Sequence, residues 1–172
     1  MPHRSGARAV NHSLTSFNNV HLPRNALLGT LDPPTAPRME FLLSIWRVAV
    51  GTLALGLVAG SMMPLYVTIV ARYSMRRMIR GHKGHESSIL EFRTQQIPIL
   101  TSLAQTFVVR EFTSWAVNTF KEAELDHRVR HGIATCLKVL AVPHSQDTNL
   151  SVSERCGAQG LMSFNQLAPL HV

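Results

Sequence analysis

The hydrophobic pattern of the chain is dominated by one stretch without a charged residue, the twenty-four positions from Val48 to Ala71. Arg47 precedes the stretch, and a cluster of arginines follows it: Arg72, Arg76, Arg77 and Arg80. A run of this length predicts a helix, because strands rarely exceed about ten residues. Two interpretations of that helix stay open: a membrane span, for which roughly twenty apolar residues suffice, and a bundle helix buried on most of its circumference.

Small and hydroxyl-bearing residues interrupt the apolar stretch. Gly56 and Gly60 have the spacing that lets two helices approach closely, in membranes and in bundles alike. Pro64 predicts a kink, because proline has no N–H for the helical hydrogen bond. Thr52 and Ser61 are polar, and arginines at both ends give no charge asymmetry that would orient a membrane span.

Two further helical patterns follow the arginine cluster. The second helix is predicted to begin near Ser87, and Pro98 predicts that it either starts late or kinks there. Its buried face is predicted from apolar side chains on one side: Ile99, Leu103, Phe107, Trp115 and Phe120. The third helix is predicted around Asp126–Val142, with Pro143 as its end.

The remainder of the chain is less regular. A loop is expected at 144–150, and a last turn near Val152–Arg155 before the glycine loop at 157–160. Residues 1–38 are rich in proline and glycine, and rough alternation over Leu14–Leu22 predicts one or two short strands there. The prolines from Pro33 to Pro37 predict a linker. The expected fold is mainly α, with a short β segment at the start.

Composition narrows the possible partners. Of the 172 residues 45% are hydrophobic and 16% charged, a balance that excludes disorder throughout. The formal net charge of +7 favours anionic partners: nucleic acid, anionic lipid or a nucleotide cofactor. Nucleic acid is the weakest of these, because the basic residues do not alternate with aromatic ones. No metal is expected, since His127 and His131 have the spacing of ligands but no third one nearby.

Four separated strings resemble the acyl-CoA oxidase and dehydrogenase family, in the order in which the family has them. They are similar to the strand that closes the middle β-domain, the end of the first long helix, the start of the second helix, and a late glycine loop. The strings are Phe17 to Gly29, Ala71 to Arg77, Ile89 to Gln96, and Glu154 to Leu161. The Phe-Arg-Thr-Gln-Gln and Arg-Cys-Gly segments favour the oxidase branch.

The resemblance implies a domain division and a cofactor. Residues 1–38 would be the remnant of the middle β-domain and a linker, and residues 39–172 an incomplete helical domain. The implied cofactor is FAD, whose pyrophosphate suits a guanidinium group and a glycine backbone. The residues implied to bind it are Arg77, Gln96, Gly157 and Gly160, and Arg47 is implied to contact acyl-CoA.

The resemblance also implies partners and a location. The parent family acts on acyl-CoA in β-oxidation and dimerises through the helical domain, and neither nucleic acid nor a membrane is expected. A peroxisomal location is implied, with no targeting tripeptide in the final residues, and a cytoplasmic location is the alternative. Glu154 and Ala158 depart from the family pattern, which lowers the expected affinity for flavin.

The catalytic glutamate of the oxidases is expected beyond Val172, and Phe164 stands at the dehydrogenase position. We therefore assign no catalytic residue and expect no oxidase turnover by this polypeptide alone. Two rivals from other classes are a single-pass membrane protein with a span at 48–71 and a non-catalytic helical interaction module.

Overall fold

The computed structural model describes residues 14–27, 29–30, 32–81 and 84–170. The described residues form two compact units, one that ends at Trp46 and one that begins at Arg47. In the first unit, residues Pro37–Ser44 form helix α1, with Pro37 in its first turn. A short 3-10 turn spans Arg24–Ala26. The linker predicted at Pro33–Pro37 leads directly into α1.

The strands predicted over Leu14–Leu22 are not formed, and that prediction was wrong. All nine residues lack regular structure, and their side chains are exposed, Leu14 and Phe17 included. A strand is stable only when its backbone groups pair with a neighbouring strand. Within the described ranges the strands lie elsewhere, at Met78–Arg80 and Glu86–Ser88. Residues 1–13 of the predicted β-domain remnant lie outside the described residues.

Three long helices build the rest of the chain. Helix α2 spans Trp46–Arg76, α3 spans Arg93–Phe120 and α4 spans His127–Ser153. Strands β1 (Met78–Arg80) and β2 (Glu86–Ser88) form an antiparallel hairpin between α2 and α3. Buried residues of all three helices share one apolar cluster. The prediction of a mainly α fold is confirmed.

Helix α2 packs through a stripe of buried residues spaced three or four positions apart, which places them on one side of the helix. The stripe consists of Ala49, Leu53, Gly56, Ala59, Gly60, Met63, Val67, Val70 and Ser74. The hydroxyls of Thr52, Ser61 and Thr68 each donate to the carbonyl oxygen four residues earlier. These bonds satisfy the polar side chains within the helix, so an uncharged stretch can carry them.

Helix α2 is long and apolar enough to cross a membrane, with a mean hydropathy of 1.9 in its most apolar window. Its neighbours carry charge beside its midpoint, however. Leu137 of α4 packs at Gly56 and is followed by Lys138, while Arg110 of α3 lines a cavity with Gly60. Charged side chains at the centre of a bilayer cost several kcal/mol, of the order of 3 or more. The packing favours the interpretation of α2 as a bundle helix.

The predicted buried face of α3 was largely wrong. Ile99 is buried, but Leu103, Phe107 and Trp115 are exposed. The observed buried face carries smaller and more polar residues: Gln95, Ile99, Ser102, Thr106, Val109 and Ala116. Small side chains let the helix axes approach closely, and Thr106 donates its hydroxyl to the carbonyl of Ser102.

The predicted end of the third helix at Pro143 was also wrong, because α4 continues to Ser153 with Pro143 inside it. Pro143 is exposed, whereas Ser145, Asn149 and Val152 beyond it are buried. Burial of the second half of α4 offsets the one helical hydrogen bond that proline cannot donate. Pro98 lies inside α3, five residues after its start, and its ring replaces the N–H that would donate to the carbonyl of Thr94.

Two glycines of α2 make the close packing testable. A Cβ at Gly56 would lie 2.7 Å from Cγ of the fully buried Leu137, whereas a Cβ at Gly51 would meet nothing within 4 Å. We expect Gly51→Ala to raise the free energy of unfolding by about 0.5–1 kcal/mol through helix propensity. Gly56→Ala should lower it by about 1 kcal/mol, because crowding exceeds that gain. Urea unfolding of both variants measures the difference, and an equal gain in both would contradict the packing.

Candidate functional site

Three segments meet at one end of the bundle: the end of α2, the start of α3 and the turn that follows α4. One side chain joins them. Gln95, 9% exposed, donates from Nε2 to Oγ of Ser74, 2.8 Å away, and to the backbone oxygen of Arg155, 3.0 Å away. We call this region, Tyr73–Arg77 with Arg93–Gln96 and Arg155–Gly160, the basic end.

The hairpin between α2 and α3 is fixed to the same region by serine hydroxyls. Oγ of Ser88 donates to the backbone oxygen of Ser74 at 2.8 Å. Oγ of Ser88 also accepts from the backbone N–H of Leu90, while the carboxylate of Glu91 accepts from the backbone N–H of Ser88. This reciprocal capping box holds the 3-10 turn Ile89–Glu91 that leads into α3. The spacing of the second and third helices is therefore set by hydrogen bonds rather than by apolar contact alone.

Arg77 directly follows α2, and its backbone is held on both sides. Its N–H donates to the carbonyl of Tyr73, and its own carbonyl accepts from the N–H of Ile89. Its side chain is exposed and lines an open groove of about 440 Å³. The other residues lining this groove are Ile69, Arg72, Tyr73 and Arg76.

The groove carries an excess of positive charge. Arg72, Arg76 and Arg77 form no ion pair with a carboxylate of the described residues. Three guanidinium groups sharing one surface repel one another unless an anion lies between them. Each guanidinium group in the groove is planar and carries several N–H donors, a geometry that suits phosphate oxygens.

Gln96, predicted to bind the cofactor, uses its amide locally. Its Nε2 donates to the carbonyl of Leu90 at 2.9 Å, which caps the turn before α3. Its side chain is half-buried at the basic end. The structure thus brings Gln96 close to the segment of Arg77, and its contact with a cofactor stays a prediction.

The two predicted glycines differ in what surrounds them. Gly157 has φ +58° and ψ −141°, a region that essentially only glycine occupies, and nothing lies within 4 Å of an added Cβ. Gly160 is buried, and an added Cβ would collide with the carbonyl of Ser153. Open backbone that a ligand can approach is found at Gly157. Gly160 instead lets the turn fold back onto the end of α4.

The carboxylate of Glu154, a departure from the family pattern, lies 3.7 Å from Nη2 of Arg155. The guanidinium group of Arg155 also reaches the carbonyl of Thr94 at the start of α3. Glu154 therefore has a cationic neighbour within its own turn, which reduces its repulsion of a bound phosphate.

Cys156 anchors the turn in the core. It is 5% exposed, shares an apolar cluster with Val67, Ile99 and Val152, and burial raises the pKa of its thiol to about 11. Tyr66 in the same cluster donates to the carbonyl of Leu170. Burial raises the pKa of Tyr66.

Arg47 is not brought together with the other predicted residues. It lies in the first turn of α2, thirty residues before Arg77, which corresponds to about 45 Å along a helix. The distance places it at the other end of the bundle from the basic end. Its contact with acyl-CoA stays a prediction, and it belongs to a different surface.

Comparisons with known proteins identify the family of the chain. A family model described as acyl-CoA oxidase, C-alpha1 domain, matches residues 52–172, more than two thirds of the chain. The chain belongs to the acyl-CoA oxidase family. Acyl-coenzyme A oxidase 2, peroxisomal, from Arabidopsis thaliana is 24% identical over 185 residues, an alignment that covers 98% of this chain and 27% of that protein. This member of the acyl-CoA oxidase family thus spans about a quarter of the length of that relative.

Two residues at the centre of the basic end, Gln95 and Ser74, were missed by the sequence analysis, which chose Gln96 instead. A signal for both was present in the spacing. Gln95 lies four positions before Ile99, and Ser74 four positions after Val70, so both continue buried faces. A polar residue in register with a core stripe indicates a buried hydrogen bond.

The environments of the two glycines predict different responses to alanine. Gly157→Ala should lower the free energy of unfolding by about 1–3 kcal/mol, through backbone strain alone. Gly160→Ala should lower it at least as much, because the added methyl group meets backbone that cannot move aside. Gly132→Ala, in α4 with open space around it, is the control and should be stabilising. Urea unfolding measures all three, and a neutral Gly160→Ala would contradict the described turn.

The two cysteines predict a simple chemical result. Cys136 is exposed and Cys156 is buried with a raised pKa. We expect a disulfide reagent at pH 8 to modify one thiol rapidly in the native chain and the second at least about tenfold more slowly, because thiolates react and the buried group rarely forms one. In denaturant both should react at once. Equal native rates would show that the turn is open.

Proposed function

We propose that the chain supplies the helical part of an FAD-binding site in an acyl-CoA oxidase, with the basic end as the surface that faces the dinucleotide. The observation that carries this proposal is the bridge from Gln95 to Ser74 and Arg155. It joins the segment of Arg77 to the segment of Gly157, which are eighty residues apart in sequence.

The chemistry of the basic end suits the diphosphate of FAD. A guanidinium group can donate two parallel hydrogen bonds to phosphate oxygens, and Arg77 has no carboxylate partner among the described residues. Gly157 has no side chain, so its backbone N–H can come close to an anionic group. The exposed face of Tyr73 beside the arginines offers an aromatic surface for adenine.

When bound, FAD would supply the oxidising chemistry for the dehydrogenation of an acyl thioester. The residues proposed here bind and orient the cofactor; they do not react. The same proposal includes acyl-CoA as the substrate class, contact of Arg47 with acyl-CoA, and a peroxisomal location. The family of the chain and its similarity to a peroxisomal oxidase support these points.

FAD titration of the purified chain tests the proposal. We expect quenching of flavin fluorescence, competition by ADP and no competition by FMN, which lacks the adenosine monophosphate part of FAD and therefore the pyrophosphate. Arg77→Gln should raise the Kd about ten- to a hundredfold, because a charge-assisted hydrogen bond contributes about 1.5–3 kcal/mol. Arg128→Gln, at the exposed start of α4 and paired with Asp126, is the control and should leave the Kd unchanged. If both substitutions raised the Kd equally, FAD binding would come from the overall positive charge of the chain and not from a site at Arg77.

A second candidate function, an interaction module, is supported by the bare outer faces of the helices. Leu100, Phe107 and Trp115 of α3 are each more than half exposed, and Leu55 and Leu65 of α2 are nearly so. Exposed apolar side chains repeated along a helix are typical of a protein–protein interface. We propose that the helical domain forms a homodimer through these faces, as the family resemblance implies.

The mass of the chain in solution tests the interface. We expect light scattering after size exclusion to give twice the monomer mass, and Phe107→Lys to shift it toward the monomer, because a buried charge opposes apolar contact. Val139→Lys, also exposed but on α4, should leave the dimer intact. A monomeric native chain, or equal dissociation by both variants, would reject the interface on α3.

A further inference from the structure

Gln95 makes the bridge on which the flavin-binding proposal rests, but that proposal assigns its side chain no role of its own. It is a buried amide in a face that otherwise buries Ile99 and Val109, and its Nε2 hydrogens reach two acceptors on different segments. The acceptors are the hydroxyl of Ser74, three residues before Arg77, and the carbonyl of Arg155, two residues before Gly157.

Both acceptors are themselves held in place. Ser74 is fully buried, and its Oγ donates to the carbonyl of Val70, so its lone pair is directed away from α2 toward Gln95. The carbonyl of Arg155 is followed by Cys156, whose side chain is anchored in the apolar core. Nε2 of Gln95 therefore connects Oγ of Ser74 with the backbone oxygen of Arg155, and its two hydrogen bonds set the distance between these atoms.

Burial alone does not require glutamine at this position. An apolar residue of similar volume would bury more favourably than an amide, whose desolvation is compensated only by its hydrogen bonds. A carboxylate of the same size could accept but not donate, and both neighbours of Gln95 are acceptors. The donor character of the side chain is therefore what the site uses.

We propose that Gln95 is a positioning residue, which holds the glycine turn at a fixed distance from the arginine-bearing end of α2. This inference rests on the proposed flavin site for its consequence: Arg77 and Gly157 can act on one dinucleotide only while Gln95 joins their segments. Gln95 does not contact the cofactor.

The thiol of Cys156 reports on the turn independently of any ligand. In a Cys136→Ala background, the rate at which a disulfide reagent modifies Cys156 measures how often the turn opens. We expect Gln95→Met and Gln95→Glu to raise this rate about three- to tenfold, which corresponds to the loss of one buried hydrogen bond. Gln105→Leu is the matched control: it removes a 3.4 Å hydrogen bond between α3 and Thr148 of α4 and should leave the rate unchanged.

FAD affinity separates positioning from stability. Measured well below the unfolding temperature, the Kd should rise about three- to tenfold in Gln95→Met and stay unchanged in Gln105→Leu, even where both variants unfold at a lower temperature. Ser74→Ala removes only the tie to α2. It should weaken FAD binding while Cys156 stays protected, and it replaces Gln95→Met if that variant does not fold.

The outcomes are distinguishable. If both Gln95 variants leave the labelling rate of Cys156 unchanged, the proposal that Gln95 holds the glycine turn is overturned. Faster labelling with an unchanged Kd overturns the positioning role, since the turn then moves without consequence for the cofactor. If the native chain binds no FAD, the proposed function fails, and the labelling rates alone decide whether Gln95 holds the turn.

Discussion

The close approach of the helices is the constraint on which the other features depend. Gly56 lies against Leu137, where an added Cβ would be 2.7 Å from Cγ, and Gly60 lies against Thr113, where an added Cβ would be 3.1 Å from Oγ1. Because the helices are this close, many buried positions of α3 and α4 carry alanine, serine or threonine, beside larger residues such as Ile99 and Leu137. Several other large apolar side chains of α3, Phe107 and Trp115 among them, face the outside of the bundle.

Close packing at small residues leaves the ends of the helices to be fixed by polar contacts. Ser74, Ser88 and Gln95 form a connected set of hydrogen bonds at the end where α2 stops and α3 starts. Such a set is directional, whereas apolar contact is not, so it specifies where the turn after α4 sits. The glycine turn and the arginine groove thereby share one end without direct contact between their side chains being required.

The outer faces of α2 and α3 have a different origin. The chain corresponds to about a quarter of a longer relative, and apolar residues such as Phe107 and Val58 face outward. Surfaces of this kind cost free energy in water until another surface covers them. The dimer proposed above would cover the outer face of α3.

Length, charge and short sequence motifs are local properties of the chain. They were therefore enough to predict the helical class, the family and the apolar extent of α2. The sequence placed Arg77 and Gly157 in segments that the fold joins, yet it did not find Gln95, whose role depends on acceptors 21 and 60 positions away. Helix boundaries at Pro143 and the buried face of α3 were decided only by tertiary packing. Burial of Ser145 and Val152 outweighs one missing hydrogen bond, and close helix contact favours Ser102 and Thr106 over Phe107.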